Sequence, residues 1–242
     1  CHLYFLSWLY SIDLLVYYKE NLILLSHTNH QLYEFCILYQ DGKYCLRLAS
    51  QVQSAPFRAL FRRGELRSGQ NVLISGFGGG VAQFAFLFAQ AAGANVYVSS
   101  GSDEKIEKAL KLGAKGAYNY KKQATYPDLW KTKGGFDLVI DSAGGDQING
   151  FIKVLKPRGK IVFYGATNGL PSKVDLYRMF WNQLSLLGTT MGSDHEFSEM
   201  LTFVSKHQLR PLIDSIRPFS KIAESFPDIT KTNKVGKIVF QI

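Results

Sequence analysis

The plainest chemistry in the sequence lies in eight residues, Ser75-Gly-Phe-Gly-Gly-Gly-Val-Ala82. Glycine lets a backbone turn sharply and approach a diphosphate, whose charge then meets the unpaired N–H groups at the start of a helix. Two registers fit. Gly76-x-Gly78-x-x-Val81 puts valine in the third position, whereas Gly76-x-x-Gly79-x-x-Ala82 ends on a small residue that permits close helix–strand packing. The second is preferred. About 20 residues beyond the first glycines, an acid would bind the ribose 2′-hydroxyl of NAD. This chain has Ser99-Ser-Gly-Ser102 there, with Ser100 in the acid's position, followed by Asp103, Glu104 and Lys105. A neutral hydroxyl beside a lysine suits a 2′-phosphate, which makes NADP(H) the expected cofactor. Asp103 and Glu104 need no ligand to explain them, because acids complement the positive end of a helix.

Other reactive side chains form no comparable pattern. His2, His27, His30, Cys36 and Cys45 crowd the first fifty residues. Zinc sites draw on pairs at short fixed spacing, and His27-x2-His30 is the nearest approach, so no metal site is expected. Three cysteines, Cys1, Cys36 and Cys45, are also too few for a disulfide framework.

The elements that must hold the glycine turn alternate with clarity. Asn71-Val-Leu-Ile-Ser75 reads as a strand, residues 81–92 as a helix apolar almost all round, and Gly93 as its stop. Asn95-Val-Tyr-Val-Ser99 is the next strand, and Ser102 caps a helix that Gly113 ends. Phe136-Asp-Leu-Val-Ile-Asp141, Lys160-Ile-Val-Phe-Tyr164 and residues 184–188 read as further strands; residues 147–155 and 195–206 read as helices. Short strands separated by helices pair in parallel, because a parallel connection needs a crossover. The expected fold class is therefore α/β, a doubly wound parallel sheet.

The first fifty residues are of another kind. They hold one of the 22 glycines, Gly42, yet 10 of the 33 aromatic residues. A helix at residues 14–25 and a strand at 35–39 are expected, inside an aromatic-rich extension that need not be a folded domain. The apolar run from Leu3 to Tyr18 is shorter than the roughly 20 residues that span a bilayer, and no basic segment precedes it, so no membrane anchor is expected. The net charge of +9 comes from residues 51–242, with 25 basic against 15 acidic residues where residues 1–50 have 3 against 4, and its cations are scattered over helices with Arg62-Arg63 and Lys121-Lys122 the only doublets. That suits an anionic small molecule better than nucleic acid, which wants a basic patch interleaved with aromatics. The cytosol is the default location.

Taken together, the glycine turn, Phe57-Arg-Ala-Leu-Phe61, Gly101-Ser-Asp-Glu-Lys105, Leu112-Gly-Ala114, Asn119-Tyr120, Phe136-Asp-Leu-Val-Ile-Asp141 and Gly236-Lys-Ile-Val239 resemble the medium-chain dehydrogenase/reductase superfamily. The resemblance is to its zinc-binding-dehydrogenase-like or quinone-oxidoreductase-like branch, and covers about residues 55–242. It implies NADP(H) binding and hydride transfer. By position, Gly76, Gly79, Gly80, Val81 and Ala82 would hold the diphosphate, and Ser100, Gly101, Ser102 and Lys105 would face the adenosine ribose and its phosphate. Tyr120 would close over that phosphate. Ser142, Ala143 and Gly144, with Gly165, Ala166 and Thr167, would line the crevice toward the nicotinamide, bordered by Thr190-Met-Gly-Ser193. In domain terms, residues 51–208 are the cofactor domain, and residues 209–242 are a segment that the family packs on a barrel-like catalytic domain.

That barrel is not recognisable in residues 1–50, so an incomplete remnant of a second domain is expected. Strands near 212–216 and 237–242 would lack most of their partner and expose edges that invite association, a homodimer included. No catalytic residue is assigned, although Tyr164, Tyr177, His195 and Lys237 have suitable chemistry. Hydride transfer to a small carbonyl, enone or quinone-like compound without zinc is the expected activity, impaired in a truncated chain. A non-catalytic NADP-binding or interaction protein is the alternative. A methyltransferase using S-adenosylmethionine fits less well, since it places an acid where Ser100 stands.

Overall fold

The computed structural model describes residues 14–18, 21–25, 36–37, 47–48, 51–122, 134–221, 223–225 and 235–241. The two-residue strands Cys36–Ile37 and Arg47–Leu48 pair antiparallel with each other; the first lies within the stretch read as a strand at 35–39. His2, His27, His30 and Cys45, and most of the apolar run from Leu3, lie outside the described residues. No helix among the described residues is long and apolar enough to cross a membrane.

Elements are numbered in chain order. β1 is Leu14–Tyr18, β2 Asn21–Leu25, β3 Cys36–Ile37 and β4 Arg47–Leu48. Helix α1, Gln51–Phe57, runs on into a π-helical turn at Arg58–Arg63. Then follow β5 (Asn71–Ile74), α2 (Gly80–Ala91), β6 (Asn95–Ser100), α3 (Asp103–Lys111), β7 (Gly116–Asn119) and β8 (Phe136–Asp141). The chain continues through α4 (Gln147–Val154), β9 (Leu155–Phe163), α5 (Leu176–Trp181), β10 (Ser185–Gly188) and α6 (Asp194–Lys206). It closes with β11 (Ile213–Pro218) and β12 (Lys237–Gln241).

The central sheet has six parallel strands in the order β10-β9-β8-β5-β6-β7. From β5 the chain winds outward through β6 to β7, then returns to the other side of β5 to lay down β8, β9 and β10. The reversal between β5 and β8 opens a crevice outside the carboxyl ends of those two strands.

Alternation within the strands explains why the sheet is covered on both sides. Val72, Ile74, Val96, Val98, Leu138, Ile140 and Val162 point into one core, and Leu73, Tyr97, Val139 and Ile161 into the other. The first core is closed by α1, α2 and α6, whose Phe57, Phe88 and Phe203 rings meet with centroids 5.8 to 6.0 Å apart. Seven residues of α2, from Ala82 to Ala89, are buried, as its continuous apolar sequence leads one to expect. In α3 only Ala109 is buried. Gly93 and Gly113 take the left-handed φ of +78 and +97 that ends each helix.

A second sheet corrects the reading of the chain's two ends. Where a helix over residues 14–25 was expected, β1 and β2 pair antiparallel from Leu14↔Leu25 to Tyr18↔Asn21. β12 lies between β11 and β1, parallel to both, in the order β11-β12-β1-β2. The strands expected to lack a partner therefore have one, drawn from the first fifty residues. Local pattern misled here because Leu14-Leu-Val-Tyr-Tyr18 and Asn21-Leu-Ile-Leu-Leu25 are runs too short and too uniformly apolar for period to separate helix from strand. Their β-branched and aromatic content, and a connection of only two residues, fit a hairpin.

Candidate functional site

Construction of the crevice starts with β5. Its carboxyl end leads into Ser75 and then Gly76, at φ +67, and Gly78, at φ +117. Both values lie in the region that a side chain disfavours, which is why the turn is made of glycine. Gly79 is the N-cap of α2, and being glycine it offers no side chain to cap the helix. Gln83 N–H is bonded to Gly79 O at 3.0 Å, so helix geometry leaves the N–H groups of Gly80, Val81 and Ala82 without an intrahelical acceptor. The first turn carries no acid. Uncapped donors at the positive end of a buried helix are what a diphosphate requires, so these residues fit a dinucleotide.

Asp141, at the end of β8, fixes the other lip. It is fully buried. Its Oδ1 accepts from the Ser75 hydroxyl and from Gln147 Nε2 (2.9 Å), and its Oδ2 from the N–H groups of Gly144 (2.7 Å) and Ala143 (3.2 Å). One carboxylate thus ties β5 to β8 across the switch point and shapes the loop after β8. That loop is joined in turn to the loop after β9: Asn168 N–H donates to Ala143 O at 2.7 Å, and Gly145 N–H to Gly169 O at 2.9 Å. Gly165 packs so closely on Ser142 that a Cβ there would lie 2.5 Å from the Ser142 carbonyl oxygen. Ser142, Ala143, Gly144, Gly165 and Ala166 are therefore brought together as a continuous rim, with Gly144 and Gly145 in left-handed conformations near +65. Ala166 and Thr167 are exposed on it.

The end of β6 departs from expectation in one respect. Ser100 is buried, and its hydroxyl donates to Phe77 O at 3.2 Å, inside the glycine turn, rather than facing outward. Its contribution is to brace that turn. Ser102 is the N-cap of α3, its hydroxyl accepting from Lys105 N–H at 3.5 Å. The Lys105 ammonium lies over Gly78, where an added Cβ would come within 2.4 Å of Nζ. Tyr120 and Lys121 lie over Gly101, each placing an atom 2.8 Å from a Cβ built there. Lys122 instead pairs with Asp103, which also accepts from Asn119 Nδ2 at 2.6 Å. The Lys122 ammonium and the Asn119 amide hold the Asp103 carboxyl below the ordinary carboxylate range. Gly78, Gly101, Lys105, Tyr120 and Lys121 thus form one basic, half-aromatic corner beyond β6. Lys121 and Asp141 were not singled out from sequence; the first is half of a basic doublet, the second the last residue of a strand.

Other side chains considered for chemistry fall elsewhere. Tyr177 is exposed on α5, and His195 is exposed on α6, 3.7 Å from Glu199. Lys237 is buried in β12. The segment Thr190-Met-Gly-Ser193 serves α1 and α6: Gly192 N–H donates to the buried Ser54 hydroxyl at 2.7 Å, and Ser193 caps α6. Among the described residues no group of three or more His, Cys, Asp or Glu side chains could hold a metal ion.

A doubly wound parallel sheet with an uncapped glycine turn at its switch point is a Rossmann-type fold, the crevice of which is where such folds take dinucleotides. The match to the zinc-binding dehydrogenase family spans residues 80–206. The chain belongs to that family, within the medium-chain dehydrogenase/reductase superfamily. A zinc-type alcohol dehydrogenase-like protein of Leptosphaeria maculans is 42% identical over 200 residues, covering 77% of this chain and 55% of its own. The quinone oxidoreductase of Rattus norvegicus is 28% identical over 192 residues, covering 75% and 57%. Among solved structures, a putative alcohol dehydrogenase from Sinorhizobium meliloti superposes with a TM-score of 0.72 at 26% identity, covering 88% of this chain and 65% of that one. The chain thus spans a little over half the length of the curated relatives it matches.

Proposed function

We propose that this chain binds NADPH and belongs to an oxidoreductase that transfers hydride to a small carbonyl, enone or quinone-like compound, without a resident zinc ion. The observation that carries the reading is the corner beyond β6: no acid stands where a ribose hydroxyl would be held, while Lys105, Lys121 and Tyr120 converge on Gly78 and Gly101. An added phosphate there meets cations and a phenol, which NADH, lacking that phosphate, does not engage. The kinship with alcohol dehydrogenase-like and quinone oxidoreductase proteins supports the reaction class.

In this reading, Gly80, Val81 and Ala82 N–H groups hold the diphosphate, and the rim of Ser142, Ala143, Gly144, Gly165, Ala166 and Thr167 positions the nicotinamide end. When bound, the dihydronicotinamide would supply a hydride to a substrate carbon, a proton from water would complete the reduction, and the oxidised nicotinamide would remain. Asp141 and Ser75 keep the two lips of the crevice at a fixed separation. Its location in this reading is the cytosol.

Fluorescence titration tests the proposal. NADPH should bind more tightly than NADH, and Lys105→Ala should weaken NADPH about tenfold or more while leaving NADH unchanged, the loss of one charge-assisted contact. Equal affinities in the parent chain would overturn the phosphate argument. Saturable NADPH binding with no oxidation by a quinone would favour the alternative, a binding or interaction protein without catalysis.

A further inference from the structure

A cleft of about 470 Å³ opens at the amino-terminal ends of the strands, the end of the sheet opposite the glycine turn, lined among others by Glu65, Arg67, Asp137, Arg158, Gly159 and Lys160. Its acids are already paired. Glu65 meets Lys160 at 2.7 Å, and Asp137 meets Lys156 at 2.7 Å while also accepting from the Asn71 N–H at 2.8 Å. Lys160, foremost, holds the Glu65 carboxyl below its ordinary value, with Arg67 adding to the effect. Arg67 and Arg158 themselves have no ion pair among the described residues. Arg158 uses only its Nε, donating to Gln183 Oε1 at 3.3 Å.

The backbone singles out the same place. Among the described residues four that are not glycine have left-handed φ: Glu65 at +52, Arg158 at +66, Gln183 at +55 and Gln208 at +51. Two of them line the cleft, and a third holds its arginine. Glycine would occupy Arg158's conformation without penalty. An arginine retained there, lining a polar cleft, is the kind of strain that marks a working site.

We propose that this cleft is an anion site separate from the glycine turn, in which the Arg67 and Arg158 guanidinium groups clamp a phosphate group. Two planar forks that form no salt bridge among the described residues match the oxygens of a dianion. The volume falls in the range of small-molecule sites, which suits a small phosphorylated metabolite, and free phosphate shares the same chemistry. The proposal does not depend on the cofactor reading.

The test is an amide-resolved NMR titration of the full, isotope-labelled chain at low ionic strength, with inorganic phosphate in one series and glycerol 3-phosphate in another. Saturating shifts are expected at residues 65–70 and 158–160. Arg67→Ala and Arg158→Gln should each weaken binding about tenfold, one charged hydrogen-bonding group apiece. Arg158→Gly should weaken it as much yet melt at a higher temperature without ligand, because glycine relieves the backbone. Tighter binding of glycerol 3-phosphate assigns the site to a monoester; equal binding assigns it to the free ion. Shifts confined to residues 76–82, shifts that do not saturate, or affinities unchanged in the arginine variants would overturn the proposal.

Discussion

Asp141 carries more of the crevice than any other single side chain, since four donors converge on one buried carboxylate. Removing a buried acceptor strands its donors without water. Asp141→Ala should therefore cost roughly 3 kcal/mol in urea denaturation, a partial sum over those orphaned groups. Asp141→Asn keeps one acceptor oxygen and should cost less. A loss of NADPH affinity larger than the loss of stability would show that lip spacing governs binding. At this scale the sequence was legible where backbone was the signal: glycines at Gly76, Gly78, Gly93 and Gly113 announce the left-handed positions they occupy. It was not legible where a side chain's direction was at issue. Ser100 ends β6, but its hydroxyl turns toward Phe77 O because that carbonyl lies within the turn and needs a donor. Lys121 gained meaning only from its approach to Gly101 across a turn.

Elements are held to one another by a clasp between α6 and the π-helical turn that follows α1, which the sequence did not reveal, its partners being more than 130 residues apart. Glu196 completes a capping box with Ser193 at the start of α6 and accepts from Arg58 Nη1 at 2.5 Å; Arg62 pairs with Glu199 one turn further on. Burial works to raise the Glu196 carboxyl, but the Ser193 N–H and Arg58 outweigh it and leave it below its ordinary value of 4.5. A carboxyl lowered by folding contributes stability above its unfolded value, and loses it as pH falls through the folded one. Glu196→Gln should thus lower stability at neutral pH by about 1 kcal/mol, with the difference from the parent shrinking below about pH 4.5. Thermal melting at a series of pH values reads both, and a difference constant with pH would refute the assignment. The parallel strands and their helices were readable because each is locally consistent, apolar run against glycine or serine boundary. The hairpin of β1 and β2 was not, for its runs are too short and too uniformly apolar to show a period, and the strand it joins, β12, lies more than 200 residues away.

For the molecule as a whole, that distant pairing decides how the chain's ends are held. β12 is interior to its sheet only because β1 lies against it, with Leu14↔Ile238, Leu15↔Val239 and Val16↔Phe240 in register. β1 is interior in turn, between β12 and β2. An unpaired β12 would present a row of backbone donors and acceptors, the circumstance in which strands recruit a second chain. Proline cannot donate to a ladder and is excluded from interior strands. Leu15→Pro should accordingly disrupt β1 and free one edge of β12, while the six-stranded sheet, which shares no strand with it, stays intact. Hydrogen exchange should then show faster exchange at Val239 and Phe240 with unchanged protection at Leu73, Val139 and Ile161, and light scattering should show a higher mass. NADPH affinity should not fall, because the glycine turn and both lips of the crevice belong to the other sheet. Retained protection at Val239 would mean that β12 is held by β11 alone; a loss of protection at Leu73 as well would mean that the two sheets unfold as one unit.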